Sequence, residues 1–245
     1  MTRRAALVTG GAKRIGAAIV RRLAAAGYDV AIHCRGSRQE AQDLAASLGP
    51  GPRVAIVAGD LADLDDVERL VPEAGAAIGP LTLLVNSASL FDDDRLDRLD
   101  RELWDRHFAV NLRAPAFLAS AFARQAPEGS SIVNLLDQRV ERLNPTFFSY
   151  TLTKAALHAA TTTMAQALAP AIRVNAVSPG PTLANDHDGP NGLAHEIANV
   201  PLRRGVDPSE IADAVLYLAG ARSVTGQTLA VDAGQRLGWR TPDIA

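Results

Sequence analysis

The chain contains one cysteine, Cys34, so it can form no internal disulfide and no multi-cysteine zinc site. That usage fits a reducing compartment, and the expected location is the cytoplasm. Charge of neither sign dominates: 25 Lys and Arg against 27 Asp and Glu leave a formal net charge of -2. This supplies no basic face for nucleic acid and no strong acidic field. No apolar run approaches the roughly 20 residues that a bilayer-crossing helix needs, so no membrane partner is expected. The opening stretch, Met1 to Arg4 followed by Ala5-Ala6-Leu7-Val8, has the charged-then-apolar order of a signal segment. Its apolar part stops at Thr9-Gly10-Gly11, and it reads as a buried first strand. Internal repeats, low-complexity segments and linkers are also missing. What is present is 245 residues, 47% of them hydrophobic, enough to bury a sizeable core in one domain spanning residues 1–245.

Short apolar runs alternate with helical patterns. Ala5–Thr9, Asp29–Cys34, Arg53–Val57, Leu81–Asn86, Ser131–Leu136, Arg173–Val177 and Thr228–Val231 read as strands, rich in β-branched residues and flanked by Gly, Pro or Asp. Between them Ile15, Ile19, Leu23 and Ala26 share one helical face, as do Ile211, Val215 and Leu218. Continuous apolar strands alternating with helices predict a doubly wound, parallel α/β sheet covered on both faces. Residues 181–200 show no clear period and carry Pro, Gly, Asn and Asp. They are expected to be a surface loop, and loops of that length are often substrate lids.

Thr9-Gly10-Gly11-Ala12-Lys13-Arg14-Ile15-Gly16 follows the first strand and opens the first helix. Gly10 and Gly11 permit a tight turn, Gly16 lets helix and strand pack closely, and the helix N-terminus offers free N–H groups to a pyrophosphate. A nucleotide-triphosphatase loop is excluded, because Lys13 is not followed by Ser or Thr at the required spacing. NAD-binding domains of this kind place an acid about 20 residues past the glycines. Here the second strand ends His33-Cys34-Arg35-Gly36-Ser37-Arg38, with no carboxylate before Glu40. Arg35 and Ser37, with Lys13 or Arg14, suit a 2′-phosphate, so the expected cofactor is NADP(H). The ordinary role of each arginine is a solvated surface charge.

Tyr150 and Lys154 lie four apart in a segment, Phe147–Leu168, that reads as a helix, which puts them on one face. An ammonium beside a phenol of pKa near 10 lowers that pKa and makes the tyrosine a usable general acid. Such a pair alone arises on many helical surfaces; its value comes from lying downstream of a dinucleotide motif.

Thr9-Gly10…Gly16, Asp60, Asn86-Ser87-Ala88, Asn111, Tyr150…Lys154, Pro179-Gly180 and the closing Thr225-Gly226-Gln227…Val231-Asp232-Ala233-Gly234 fall in order along nearly the whole chain. In this the chain resembles the short-chain dehydrogenase/reductase family. The resemblance implies a seven-stranded Rossmann-type sheet, commonly a homotetramer, and an Asn–Ser–Tyr–Lys tetrad. Asn111 matches the asparagine that supports a water relay to the lysine, Asp60 the acid at the adenine, and Pro179-Gly180 the turn beside the nicotinamide. Cofactor contacts are accordingly expected at Gly10, Lys13, Arg14, Ile15, Gly16, Arg35, Ser37, Asp60, Leu61, Asn86, Ser87, Ala88, Tyr150, Lys154, Pro179 and Gly180.

Two departures narrow the resemblance. The family glycine at position 14 is Arg14, and the serine expected thirteen residues before the tyrosine is Asp137. Both look like the pteridine reductase branch, whose triad is Asp, Tyr, Lys. Asn86-Ser87-Ala88-Ser89-Leu90-Phe91 also resembles that branch, with Ser87 standing where a second asparagine is usual. The resemblance implies that Ser89 contacts phosphate or substrate and that Phe91 stacks on the pterin. A carboxylate beside Tyr150 raises the phenol's pKa, which favours reduction over oxidation. It can also bond the amino and ring N–H groups of a flat heterocycle, which a ketone lacks. The plain alternative is that Asp137 merely pairs with Arg139 at the strand's end.

The expectation is therefore NADPH-dependent reduction of a pterin-like or folate-like ring. Asp137, Tyr150, Lys154 and Asn111 would form the catalytic set, and Arg14, Ser89, Phe91, Asp137 and Tyr150 would contact substrate. A carbonyl reductase or alcohol dehydrogenase acting on a sugar, steroid or acyl substrate is the first alternative. The second is a non-catalytic NADP(H) sensor, against which the intact Asn111, Tyr150 and Lys154 argue. No metal is expected: Asp92-Asp93-Asp94 reads as a solvated charge run, Asp186-His187-Asp188 lacks a partner cluster, and His195-Glu196 lacks zincin spacing. Cys34 reads as a packing residue. Trp239 either plugs a subunit contact or caps the core. Phe108, Leu112, Phe117, Leu118 and Phe122, with Leu157, Met164 and Leu168, make two segments apolar on more than one face, and a homotetramer pairing these helices is expected.

Overall fold

The computed structural model describes residues 3–184 and 191–239. Seven strands are present: β1 (Arg4–Val8), β2 (Tyr28–Cys34), β3 (Val54–Ala58), β4 (Leu83–Asn86), β5 (Ser130–Leu135), β6 (Ile172–Pro179) and β7 (Thr228–Val231). They form one parallel sheet in the order β3-β2-β1-β4-β5-β6-β7. The order reverses direction between β1 and β4, the place where ligands bind in open α/β sheets. Every strand bound expected from the sequence lies within two residues of the observed one.

Both faces of the sheet are covered. On one lie α1 (Arg14–Ala25), α2 (Arg38–Ser47) and α8 (Pro208–Gly220), on the other α3 (Leu64–Ile78), α5 (Ala114–Ala123) and α6 (Phe148–Leu168). Successive strand residues serve opposite cores: Ala6 and Val8 pack under α1, whereas Ala5 and Leu7 pack under α3. Each buried Leu, Val or Ile contributes about 1.5–3 kcal/mol, so these two layers supply the main driving force for the fold. Local signals set the helix ends. Asp207 and Glu210 make a capping box with Pro208 in the first turn of α8, and Asp63 caps α3 through the Asp65 N–H. Helix α4 (Arg101–Phe108) passes into α5 through a π-helical turn, Ala109–Arg113, that carries Asn111.

One expectation is corrected. Residues 181–200 are not all loop: α7 (Gly192–Asn199) lies within them. None of its residues is fully buried; Leu193, Glu196 and Ile197 are half-buried on one side, a stripe too short to stand out as a helix in the sequence. No helix among the described residues is long and apolar enough to cross a membrane. Trp239 is exposed and does not cap the core.

Candidate active site

The C-terminal ends of β1, β4, β5 and β6 meet along one edge of the sheet. Thr9 joins two of them: its Oγ1 accepts hydrogen bonds from Ser87 N (3.0 Å) and Ala88 N (3.1 Å). Asn86 Nδ2 donates to Asn134 Oδ1 (2.9 Å), and Asn134 Nδ2 donates to Thr161 Oγ1 on α6 (2.9 Å). Buried polar groups bonded in this way fix the strand ends relative to α6. Sequence reasoning met Thr9 only as the head of the glycine motif and passed over Asn134 and Thr161. The only available signal was register: Asn86 and Asn134 are direct partners across β4 and β5.

A groove runs along this edge. One cavity, of about 420 Å³, is lined by Gly10, Lys13, Arg14, Ile15, Gly16, Ser87, Ala88, Ser89, Phe91, Asp137, Tyr150, Lys154, Pro179 and Gly180. A second, of about 320 Å³, shares Gly10, Lys13, Ala88 and Ser89 with it and continues to Arg35, Ser37, Asp60 and Leu61. Most residues singled out in the sequence therefore line one continuous groove. Two do not. Asn86 is buried beneath the groove in the network just described. Asn111 is fully buried and turns its amide to Leu90, accepting from Leu90 N (2.8 Å) and donating to Leu90 O (2.9 Å), rather than to Lys154. Its observed part is to hold the segment that presents Ser89 and Phe91.

The glycine turn is tight enough to exclude side chains. A Cβ on Gly16 would lie 2.1 Å from Gly10 O, and Gly10 itself adopts φ +61°. Arg14 also has positive φ, at 52°. This explains why the family has glycine there: an L-residue in the left-handed region costs roughly 1–2 kcal/mol. Its guanidinium donates to Ala184 O (2.9 Å) and Leu183 O (3.3 Å), across the mouth of the larger cavity. Arg14→Gly is therefore expected to leave the melting temperature unchanged or raised, while ligand affinity at this cavity falls about tenfold, the loss typical of one charge-assisted hydrogen bond. Thermal melts and ligand titration on the same variant check both halves.

Tyr150 sits in the first turn of α6, and its Oη donates to Asp137 Oδ2 (2.9 Å). The other carboxylate oxygen, Oδ1, accepts from Arg139 N (2.8 Å) and caps the short turn Gln138–Val140. Asp137 thus contacts both Tyr150 and Arg139, one per oxygen, the Arg139 bond being to its backbone. Burial, then the charge and hydrogen bond of Asp137, push the Tyr150 phenol well above its ordinary value of 10, with Arg139 opposing. Lys154 is 2% exposed and donates from Nζ to Leu135 O (2.8 Å). Its Nζ lies over the Tyr150 ring, 5.7 Å from the centroid. Burial pushes this ammonium down to about 8, with Asp137 opposing. The expectation that Lys154 lowers the tyrosine pKa is corrected: burial and Asp137 dominate, and the phenol is held protonated.

Phe91 stacks on Phe147 (4.2 Å, 4° between planes) and meets Tyr150 edge-on (4.6 Å, 75°). The Arg139 guanidinium covers Phe147 at 4.9 Å. Phe91 thus shares its ring with a second aromatic, absent from the sequence reading.

The reading of Asp92-Asp93-Asp94 as a solvated run is corrected for Asp94, which is buried, while Asp93 is exposed. Phe147, the residue before α6, provides no side-chain cap. Asp93 Oδ1 accepts from Phe147 N (3.4 Å), Asp94 O from Phe148 N (3.1 Å), and the Asp94 carboxylate from Ser149 N (3.0 and 3.2 Å). Asp94 is 3% exposed. These acids satisfy the free N–H groups of the helix that carries Tyr150. His107, fully buried, shares the cluster through Ser149 Oγ (2.6 Å) and Asp92 N (3.3 Å). No group of three or more metal-ligating side chains occurs among the described residues; Asp186, His187 and Asp188 lie outside them.

Comparison with known proteins places this geometry. Residues 10–236 match the family model described as enoyl-(acyl carrier protein) reductase. The acetoacetyl-CoA reductase of Allochromatium vinosum is 32% identical, over 94% of this chain and 98% of that protein. The chain belongs to the short-chain dehydrogenase/reductase family. Within it, 3-oxoacyl-[acyl-carrier-protein] reductase FabG of Staphylococcus aureus is 31% identical, over 94% of this chain and 97% of its own. Among solved structures, FolM alternative dihydrofolate reductase 1 from Brucella suis, in complex with NADP, superposes with a TM-score of 0.95. It is 49% identical, with 99% of this chain and 98% of that chain covered. The family makes the protein an oxidoreductase.

Proposed function

We propose that this short-chain reductase uses NADPH to reduce a pterin-like or folate-like ring. The observation that carries the reading is the Tyr150 Oη–H donating to Asp137 at 2.9 Å inside the larger cavity. The groove fits a dinucleotide: its turn has no room for a Cβ at Gly16, and Lys13, Arg35 and Ser37 line the far cavity. Asp60 lies 3.9 Å from Arg35, so the acid and its cation share that end. The NADP complex of the Brucella suis relative supports the same choice.

When bound, the dinucleotide supplies a hydride to a ring carbon. Tyr150 Oη delivers the matching proton to the adjacent ring nitrogen, so a C=N bond becomes CH–NH. Asp137 holds the ring by accepting from its amino and N–H groups, and the Phe91–Phe147 stack forms an apolar wall. Lys154 keeps a positive charge beside the tyrosine and offers donors to the cofactor ribose. The acetoacetyl-CoA and 3-oxoacyl reductases among the relatives favour a second reading, reduction of an acyl carbonyl; it offers the Asp137 carboxylate no substrate N–H group to bond. The exposed rings and chains of Phe117 and Leu152, on α5 and α6, suit burial against further copies in a homotetramer.

Titration calorimetry of the protein preloaded with NADP+ tests the substrate class. Dihydrobiopterin or dihydromonapterin should bind saturably and acetoacetyl-CoA should not; the reverse pattern overturns the pterin reading. For the cofactor, NADPH should bind more tightly than NADH. Arg35→Asp should weaken NADPH by about tenfold to a hundredfold, the range for a lost hydrogen bond to a charged group, with a smaller effect on NADH. Equal wild-type affinities for the two would overturn the assignment.

A further inference from the structure

The glycine turn is held by a side chain that the reading above leaves unused. His33 is a β2 residue, 2% exposed, and its ring lies between the turn and the end of β3. Gly10 N donates to His33 Nδ1 (3.1 Å), His33 Nε2 bonds Gly59 O (3.1 Å), and Gly11 N donates to His33 O (2.9 Å). A backbone N–H can only donate and a carbonyl can only accept. The ring must therefore be neutral, with its proton on Nε2. In that form both nitrogens are satisfied, and the imidazole becomes a rigid spacer between two loops that border the far cavity.

We propose that His33 is a positioning residue for dinucleotide binding, fixing the glycine turn by consuming the Gly10 N–H. This rests on the reading of that turn as a dinucleotide cradle. The turn has little intrinsic reason to hold one shape: Gly10 lies at φ +61°, and glycine is the residue with most backbone freedom to lose. Without the imidazole, Gly10 N–H and Gly59 O would lose their partner, at a site too enclosed for easy replacement. The surroundings favour the neutral ring. Burial holds the imidazole below its ordinary 6.5, with Arg69 assisting; Gly59, Asp66 and Asp60 oppose. The Gly10 bond acts on the glycine turn, which both dinucleotides would use, whereas the Gly59 bond lies next to Asp60 at the Arg35 end; a loss shared by both dinucleotides is therefore the signature of the turn.

The test is binding of NADP+ and NAD+ to the full chain, followed by calorimetry, with thermal melts in parallel. His33→Leu removes both bonds. It should weaken both dinucleotides by the same factor, about tenfold or more. His33→Gln retains an acceptor and a donor on one planar group and should restore both affinities to within about threefold of wild type. Should the Leu variant fail to fold, the Gln variant is compared with His33→Ala in its place. Unchanged affinity in the Leu variant, or loss confined to NADP+, overturns the role assigned to His33. A wild-type protein that binds neither dinucleotide overturns the cradle reading itself, and with it this one.

Discussion

Tyr150→Phe should lower pterin reduction by about 10²- to 10⁴-fold, the usual loss when a positioned proton donor is removed. NADP+ affinity should stay within a few-fold, because the ring remains to pack against Phe91. The same geometry sets a pH profile. The phenol is held well above 10 by burial and by Asp137, so its proton is in place throughout the neutral range. Lys154 is the group that titrates, at about 8. It is charged below that pH and neutral above it. Reduction should therefore be steady from about pH 6 to 7 and fall as pH rises through about 8. Because Lys154 serves the cofactor ribose in this account, NADP+ affinity should fall with the same midpoint. Ionisation of Tyr150 would instead lower the rate and leave cofactor affinity untouched. Measuring kcat/KM and the NADP+ dissociation constant across pH 6–9.5 separates the two.

Asp137→Ser is expected to preserve the fold and NADP+ binding, since a serine can still accept from Arg139 N as a local cap. Pterin reduction should fall by roughly 10²-fold, because the ring loses its carboxylate partner and Tyr150 loses the acceptor at 2.9 Å. Reduction of simple ketones should improve, because the carboxylate's upward pull on the phenol pKa is gone. Phe91→Ala is an independent arm. It opens the wall formed with Phe147 and should impair a flat ring more than an aliphatic ketone, by roughly 0.5–1.5 kcal/mol beyond the lost area. A wild type indifferent to both substitutions on pterins would sever substrate recognition from this end of the cavity.

What could be read from the sequence is what lies close together along it. The strand, glycine turn and helix from Arg4 to Ala25 form one continuous stretch, and Tyr150 and Lys154 share a helix, so both were legible. Asp137 stood out by its distance from Tyr150 and by the resemblance. The rest is decided by contacts across long separations. Asp94 caps a helix 55 residues away, and its charge made it look solvated. His33 reaches back 23 residues to Gly10, and an apolar strand gives no sign of where its one imidazole points. Helical spacing put Lys154 on the tyrosine's face, but only the fold shows that one of its three N–H donors is fixed by Leu135 O. The strain at Arg14 is a backbone property, visible in the sequence only as a missing family glycine.

The central claim is that the Asp137–Tyr150 pair serves a nitrogen heterocycle and not a ketone. A steady-state comparison of kcat/KM for NADPH oxidation, with dihydrobiopterin or dihydromonapterin against acetoacetyl-CoA, tests it most directly. A site built to bond a substrate's N–H groups discriminates strongly against an analogue lacking them, so the pterin should be favoured by at least about 10²-fold. Efficient turnover of acetoacetyl-CoA with no measurable turnover of either pterin would contradict the account and leave only the family-level reductase.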